Sequence, residues 1–315
     1  MTGLRIGFVP CLPPGPHPGM DALLSGLRLG VEADGATLDV EPADLRRDDA
    51  TSSQDHAVQA LIDRGAAAVV LFSLNLREPA RAVAAANERG VPVVAIHHSA
   101  LRVAASLIVP NFAHGVSLAG ALADALCEAS VPRRVGFIGP PDILDDVEFA
   151  QGVAMGLAQT GLECVNDPTD PRYRNLADVA GQGRASVERL LDDHHAVEPI
   201  VGLVVFNDET AHDAMPALRE RGLLGRLPVV CRNGSPAIAA AVARGEVHAT
   251  FDYQLPELGM HAARLVARVL AGEAEPGELV AAPVGRLVTR STLDRYRPWA
   301  DRLNDLAPLA AGGTA

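Results

Sequence analysis

The sequence predicts an α/β fold made of two lobes, each with its own parallel sheet flanked by helices. Three observations predict it. Short apolar runs alternate with longer stretches of helical periodicity. The alternation restarts midway along the chain. The result, about ten strand–helix units, is too many for one compact sheet. Parallel strands joined by right-handed helical crossovers are covered on both faces, so they are expected as continuous apolar runs.

The elements follow in order. Residues 6–10 form the first strand, and 10–19 (PCLPPGPHPG) a stiff loop. That loop is no phosphate cradle, because proline removes the backbone N–H groups a cradle needs. Residues 20–34 carry Leu23, Leu24, Leu27 and Val31 at helical spacing and stop at Gly35. Residues 38–40 are a short strand. Residues 55–64 place Ala57, Val58, Leu61 and Ile62 on one helix face, closed by Gly65. Residues 68–72 are an unbroken apolar strand, 78–89 a helix closed by Gly90, and 92–96 a fourth strand. The pattern resumes with helices at 118–129, 147–160, 186–193 and 209–222, the last interrupted by Pro216. Helices at 236–244 and 258–271 complete it, with strands at 134–138, 201–206, 228–231 and 248–252. The tail after Ser291 turns polar and then Ala/Gly-rich, and its end is expected to be disordered.

Composition excludes several chemistries. All 27 basic residues are Arg. Without Lys there is no Schiff base, no Walker-type phosphate lysine and no lysine nucleophile. The net charge of −12 offers no field to attract nucleic acid. Cys11, Cys127, Cys164 and Cys231 match no zinc or redox spacing and read as buried thiols. No apolar stretch is long enough to span a membrane, so no membrane insertion is expected. The start, MTGLRIGFVP, carries no signal-peptide pattern. As written, with Met1 as the natural start, the chain reads as cytoplasmic; if the N-terminus is trimmed, a periplasmic or extracellular place is open.

Residues 204–222 read VVFNDETAHDAMPALRERG, and 229–273 read VVCRNGSPAIAAAVARGEVHATFDYQLPELGMHAARLVARVLAGE. These stretches closely resemble the second half of the ribose-type sugar-binding proteins of bacterial ABC importers, which share their fold with lactose-repressor-type effector domains. In the first half, ALIDRGAAAVVLF and AVAAANERGVPVVAI agree, and VPNFAHGVSLAGALADAL resembles the start of the family's second lobe. The resemblance covers residues 4–290 through many weak motifs in the right order. It implies two Rossmann-like lobes joined by three hinge segments: 1–109 plus 254–284, and 110–253 plus 285–291, with 292–315 as a C-terminal tail. Ligand would lie between the lobes at the C-terminal ends of the strands, where open α/β sheets bind in general. Hinge closure would bury it.

The resemblance also assigns site residues. The family's ring-stacking aromatics fall at Gly19 and Met20, just after His17. Its Asp–Arg pair after the fourth strand becomes His97 and His98, and an Arg in the second lobe becomes Val147. Its Asn–Asp is kept as Asn207 and Asp208. Its next Asp becomes Asn233, and its hinge Gln falls on Tyr253, with Gln254 adjacent. The candidate ligand-binding set is therefore His17, Met20, His97, His98, Asn207, Asp208, Asn233, Tyr253 and Gln254, a mostly neutral set of donors and acceptors.

Blander readings compete at each point. Neighbouring His97 and His98 point to opposite faces of an extended chain, so at most one faces a ligand. No convergent ligands suggest a metal, and no cofactor is implied. His194 and His195 read as a solvated helix end. Asn207 and Asp208 both suit an N-cap, with Asp208 capping and Asn207 binding as the combined reading. RNGSP at 232–236 reads equally as a turn or as a binding segment. Arg172, Tyr173 and Arg174 read as a solvated charge run, with one Arg reaching a ligand carboxylate as the minor reading.

The expected function is a non-catalytic binding protein that closes on a small polar ligand, sugar-like or a modified sugar or polyol. Its partner would be an ABC permease or a regulatory protein. The alternatives are an enzyme on the same scaffold, with His97 or His98 as acid/base and Asp208 as partner, or a regulatory effector domain without its DNA module.

Overall fold

The computed structural model describes residues 1–12, 15, 17–43, 50–73, 78–126, 133–175 and 181–310. Cys127 lies outside them, as does the end of the tail. The first part of the chain runs β1 (Arg5–Val9), α1 (Pro18–Ala33), β2 (Thr37–Val40), α2 (Ala50–Asp63), β3 (Ala68–Leu71), α3 (Ala80–Glu88), β4 (Val93–Ala95) and β5 (Ala105–Ile108). It continues with α4 (Asn111–Ala125), β6 (Arg134–Ile138), α5 (Leu144–Gln159), β7 (Glu163–Cys164), α6 (Gln182–Leu190), β8 (Gly202–Val205), α7 (Asp208–Glu220), β9 (Val229–Asn233), α8 (Pro236–Arg244) and β10 (Ala249–Asp252). Last come α9 (Leu255–Leu270), β11 (Glu278–Ala281), β12 (Arg286–Thr289) and α10 (Trp299–Ala310).

The chain divides into two compact units. Unit 1 is Met1–Val109, Gln254–Pro283 and Pro298–Ala315; unit 2 is Pro110–Tyr253 and Val284–Arg297. Each holds a six-stranded sheet, in the orders β11-β5-β4-β3-β1-β2 and β12-β10-β9-β8-β6-β7. All pairings in unit 1 are parallel. In unit 2 only the β10–β12 pair is antiparallel. In each sheet the order reverses beside the first strand, between β1 and β3 and between β6 and β8. In doubly wound sheets ligands bind at that reversal, outside the C-terminal strand ends.

β3 is buried at every position, as a strand covered on both faces must be. In unit 1, Val58 and Leu61 of α2 and Val83 of α3 pack on Val69, Leu71 and Val93. In unit 2, Val187, Ala214 and Ile238 cover Leu203, Val205 and Cys231. Helix pairs pack through glycines. A Cβ on Gly259 of α9 would strike the Leu23 carbonyl of α1, and one on Gly152 of α5 the Phe112 carbonyl of α4.

Several elements differ from the sequence reading. β5, β7, β11 and β12 are additional strands. α4 begins at Asn111 rather than 118, and α5 at Leu144 rather than 147. α7 runs through Pro216 without interruption. The segment after Ser291 is not merely a tail: it forms a 3₁₀ turn at Leu293–Arg295 and then α10 on unit 1. Buried Trp299 and Leu306 anchor α10, and Arg302 pairs with Glu257 of α9.

A Gly152→Ala substitution forces two backbones apart. Urea denaturation should show a loss of about 2 kcal/mol. Gly120→Ala, on α4 with open space around it, should be neutral or slightly stabilising.

Candidate functional site

In unit 2 the C-terminal edge of the sheet gathers around Arg232, near the end of β9. The residue is 5% exposed. Nε donates to the Phe206 carbonyl just past β8 (2.7 Å), and Nη1 to the Tyr253 hydroxyl just past β10 (2.8 Å). Nη2 pairs with Asp146. The guanidinium lies over the Phe149 ring at 4.4 Å and the Tyr253 ring at 5.2 Å. Asp145 and Asp146 stand in the first turn of α5, where the helix dipole favours carboxylates. A buried guanidinium is tolerated only with its charge balanced and its N–H groups bonded.

Tyr253 extends this network. Its hydroxyl donates to Asn111 Oδ1 at 2.7 Å while accepting from Arg232. Burial pushes its pKa up to about 12, partly offset by the Arg232 charge. His114, on the first turn of α4, stacks 4.2 Å from Phe251 and 5.0 Å from Tyr253. Burial, aided by the Arg232 charge, pulls its pKa down to about 4, so the ring is neutral at pH 7. Its Nδ1 is buried without a hydrogen-bond partner.

The cap of α7 is Asn207, not Asp208 as expected. Asn207 has extended backbone (φ −146°) and is the N-cap of α7, its Oδ1 accepting from Thr210 N at 2.9 Å. Asp208, one residue later, is already helical and points inward. It accepts from Ser235 N (2.6 Å) and Thr250 Oγ1 (2.7 Å) and binds the loop after β9 to β10. Burial pushes its carboxyl up to about 6. Asn233 takes φ 121° and donates from Nδ2 to Glu209 Oε2 at 2.8 Å, and Ser235 caps α8. RNGSP is thus the end of a strand, a turn and a cap, with Arg232 as its inward-facing member.

In unit 1, His17 is the buried N-cap residue of α1, and Met20 is buried in that helix's first turn. His97 is buried and His98 exposed. His97 Nε2 lies 2.9 Å from Glu78 Oε1. The same carboxylate accepts from Ser99 Oγ and from Ala100 N (2.8 Å). Burial alone would raise the Glu78 pKa, but these bonds outweigh it and hold the group below the ordinary carboxylate value. Gln254 adopts a left-handed conformation (φ 55°) at the start of α9.

The structure therefore brings Tyr253 together with Arg232, and sets Asn207, Asp208 and Asn233 at adjacent strand ends in structural roles. Sequence reasoning missed Asp146, Phe149, Asn111 and His114. The acidic pair opening a helix in PDILDDVEF was the one available signal. The Arg232–Asp146 pair is a charged pair that the neutral candidate set did not include. Arg172 and Arg174 are already paired, with Asp170 and Asp142. His194 lies 3.2 Å from the Tyr173 hydroxyl, and His195 accepts from Ile200 N at 3.1 Å, so neither is simply solvated. Among the described residues Cys11, Cys164 and Cys231 form no disulfide, and Cys11 and Cys231 are buried. Among the described residues no helix is long and apolar enough to cross a membrane.

Two doubly wound units, one of which gathers an ion pair and aromatic rings at its strand ends, define a substrate-binding protein of the type I periplasmic kind. The chain belongs to the periplasmic binding protein domain family, whose profile matches residues 6–274. Solved structures with the same fold include a Mycobacterium smegmatis protein in complex with β-D-fucofuranose (17% identity, 98% of each chain, TM-score 0.81). Another is the Caulobacter myo-inositol binding protein (20% identity, 96% of this chain and 97% of that one, TM-score 0.79). A third is an ABC transporter solute binding protein from Mycobacterium smegmatis with bound glycerol (21% identity, 93% and 96%, TM-score 0.75). No curated protein matches the chain.

The raised Asp208 value has a consequence for stability. The folded state holds this proton more tightly than an unfolded carboxyl of pKa about 4. Its contribution is complete below about pH 4 and is lost as pH rises through about 6. Urea titrations from pH 4.5 to 7.5 should show wild type losing on the order of 2 kcal/mol relative to Asp208→Asn.

Proposed function

We propose that the chain binds an uncharged, polyhydroxylated small molecule, a sugar or polyol, and presents it to the permease of an ABC importer. The observation that carries this reading is the Arg232–Asp146 pair at the C-terminal edge of the unit 2 sheet, flanked by Phe149, Tyr253 and His114. A charge-balanced guanidinium–carboxylate pair offers donors and acceptors side by side, which suits vicinal hydroxyl groups. Its net charge is near zero, so it gives no advantage to a carboxylate or phosphate ligand. Aromatic rings around a few placed polar groups are the usual makeup of a small-molecule site.

Within that reading Arg232, Asp146 and Tyr253 hold the ligand in unit 2. His17, Met20, His97 and Gln254 are the contact candidates in unit 1. Asn207, Asp208 and Asn233 shape the strand ends that carry the site. The relatives support the ligand class: solved proteins of this fold hold myo-inositol, D-allose and β-D-fucofuranose. Family membership supports a permease as partner and a place outside the cytoplasmic membrane.

Isothermal titration of the purified chain with neutral pentoses, hexoses, furanosides and cyclitols should find at least one saturable ligand. The matching uronates and sugar phosphates should bind at least tenfold more weakly. A chain that binds only the charged series, or none of these compounds, contradicts the reading.

A further inference from the structure

The chain passes between the two units four times, after Val109, Tyr253, Pro283 and Arg297. The first three passes connect elements that build the two sheets and their cover: β5 to α4, β10 to α9, and β11 to β12. The fourth comes after the last strand and feeds no sheet. It delivers α10, which packs on α1 and α9 of unit 1.

Both ends of this fourth pass are anchored close to the junction. On the unit 2 side, half-buried Leu293 packs on the core that holds Leu203 and Val205. Tyr296 Oη then donates to the Gly234 carbonyl at 3.0 Å, in the turn that follows Arg232 and Asn233. On the unit 1 side, α10 opens at buried Trp299, and buried Arg302 pairs with Glu257 of α9. Only Arg297 and Pro298 separate Tyr296 from Trp299. Three Cα–Cα steps reach at most about 11 Å. Tyr296 is extended (φ −75°, ψ 136°). Proline fixes its own φ and holds the residue before it extended, so the span is stiff. A helix that only covered α1 and α9 would need no anchor on the other unit just before it.

We infer that residues 293–302 are a tether: a fourth, short connection, fastened on both units, that limits how far the units swing apart. Hinge segments permit rotation, whereas a stiff strap anchored at each end sets its range. A restricted range leaves fewer ligand-free arrangements to lose on binding. The unit 2 anchor is also the turn beside Arg232, so the strap steadies the strand end that carries the proposed ligand groups. The inference rests on the binding-protein reading above for the motion itself, and adds a stop to that motion.

The test measures distances between the units in the full, ligand-free chain by double electron–electron resonance. Spin labels replace exposed Glu88 of α3 in unit 1 and exposed Ala158 of α5 in unit 2. They are attached through a keto amino acid, which leaves the native thiols untouched. Wild type should give one narrow distance distribution. A six-residue Gly/Ser insertion between Arg297 and Pro298 keeps every anchor and adds about 13 Å of free chain. It should broaden the distribution about twofold, chiefly toward longer distances. Tyr296→Ala, which releases the unit 2 anchor, should broaden it in the same direction. Circular dichroism melts establish that each variant is folded. An unchanged distribution in the folded insertion variant overturns the inference. If that variant does not fold, an unchanged distribution in Tyr296→Ala overturns it. No sugar or polyol enters this readout, so a failed ligand panel overturns the ligand reading and leaves the tether standing on its own result.

Discussion

A guanidinium buried at the edge of a parallel sheet has to be answered from several directions at once, and in unit 2 that requirement organises the surroundings. Arg232 draws the end of β8 through the Phe206 carbonyl, the end of β10 through Tyr253, and the start of α5 through Asp146. Tyr253 passes the connection to Asn111 on α4. The same charge helps keep His114 neutral. A core of this kind is rarely the most stable option, because an apolar replacement of a buried ion pair often costs nothing. In the proposed reading its place at the strand ends serves recognition rather than stability.

The scaffold puts that charge where it is useful. Parallel strands all end at the same edge, and in each unit the strand order reverses beside the first strand. Close packing of the flanking helices holds the edge in place: Gly259 lets α9 approach α1, and Gly152 lets α5 approach α4. The turn after β9 is tightened by Asp208, which ties Ser235 and Thr250 to the start of α7. Unit 1 uses the analogous edge differently, with a carboxylate-held imidazole in place of an ion pair with arginine.

The doubly wound architecture was legible because buried parallel strands such as β3 and β8 are unbroken apolar runs between amphipathic helices. β11 and β12 escaped notice because they are half-exposed and short, and β7 because it has only two residues. α10 was hidden by polar composition and an internal Pro308. Its stability comes from Trp299 and the Arg302–Glu257 pair, which are tertiary contacts. For Asn207 and Asp208 the residue types were right, and the cap fell one residue earlier than expected because two good caps stood side by side. Backbone dihedrals decide that choice, and they are not visible in the residue string. The Arg232–Asp146 pair joins residues far apart in the chain, so no local spacing could reveal it.

Replacing both partners, Arg232→Met with Asp146→Leu, separates recognition from folding most directly. Isothermal titration with the best neutral ligand of the wild type is the deciding measurement, supported by a melting curve. The account predicts a folded protein with a melting temperature at or above that of wild type and no measurable binding. Wild-type affinity in that double variant would contradict it.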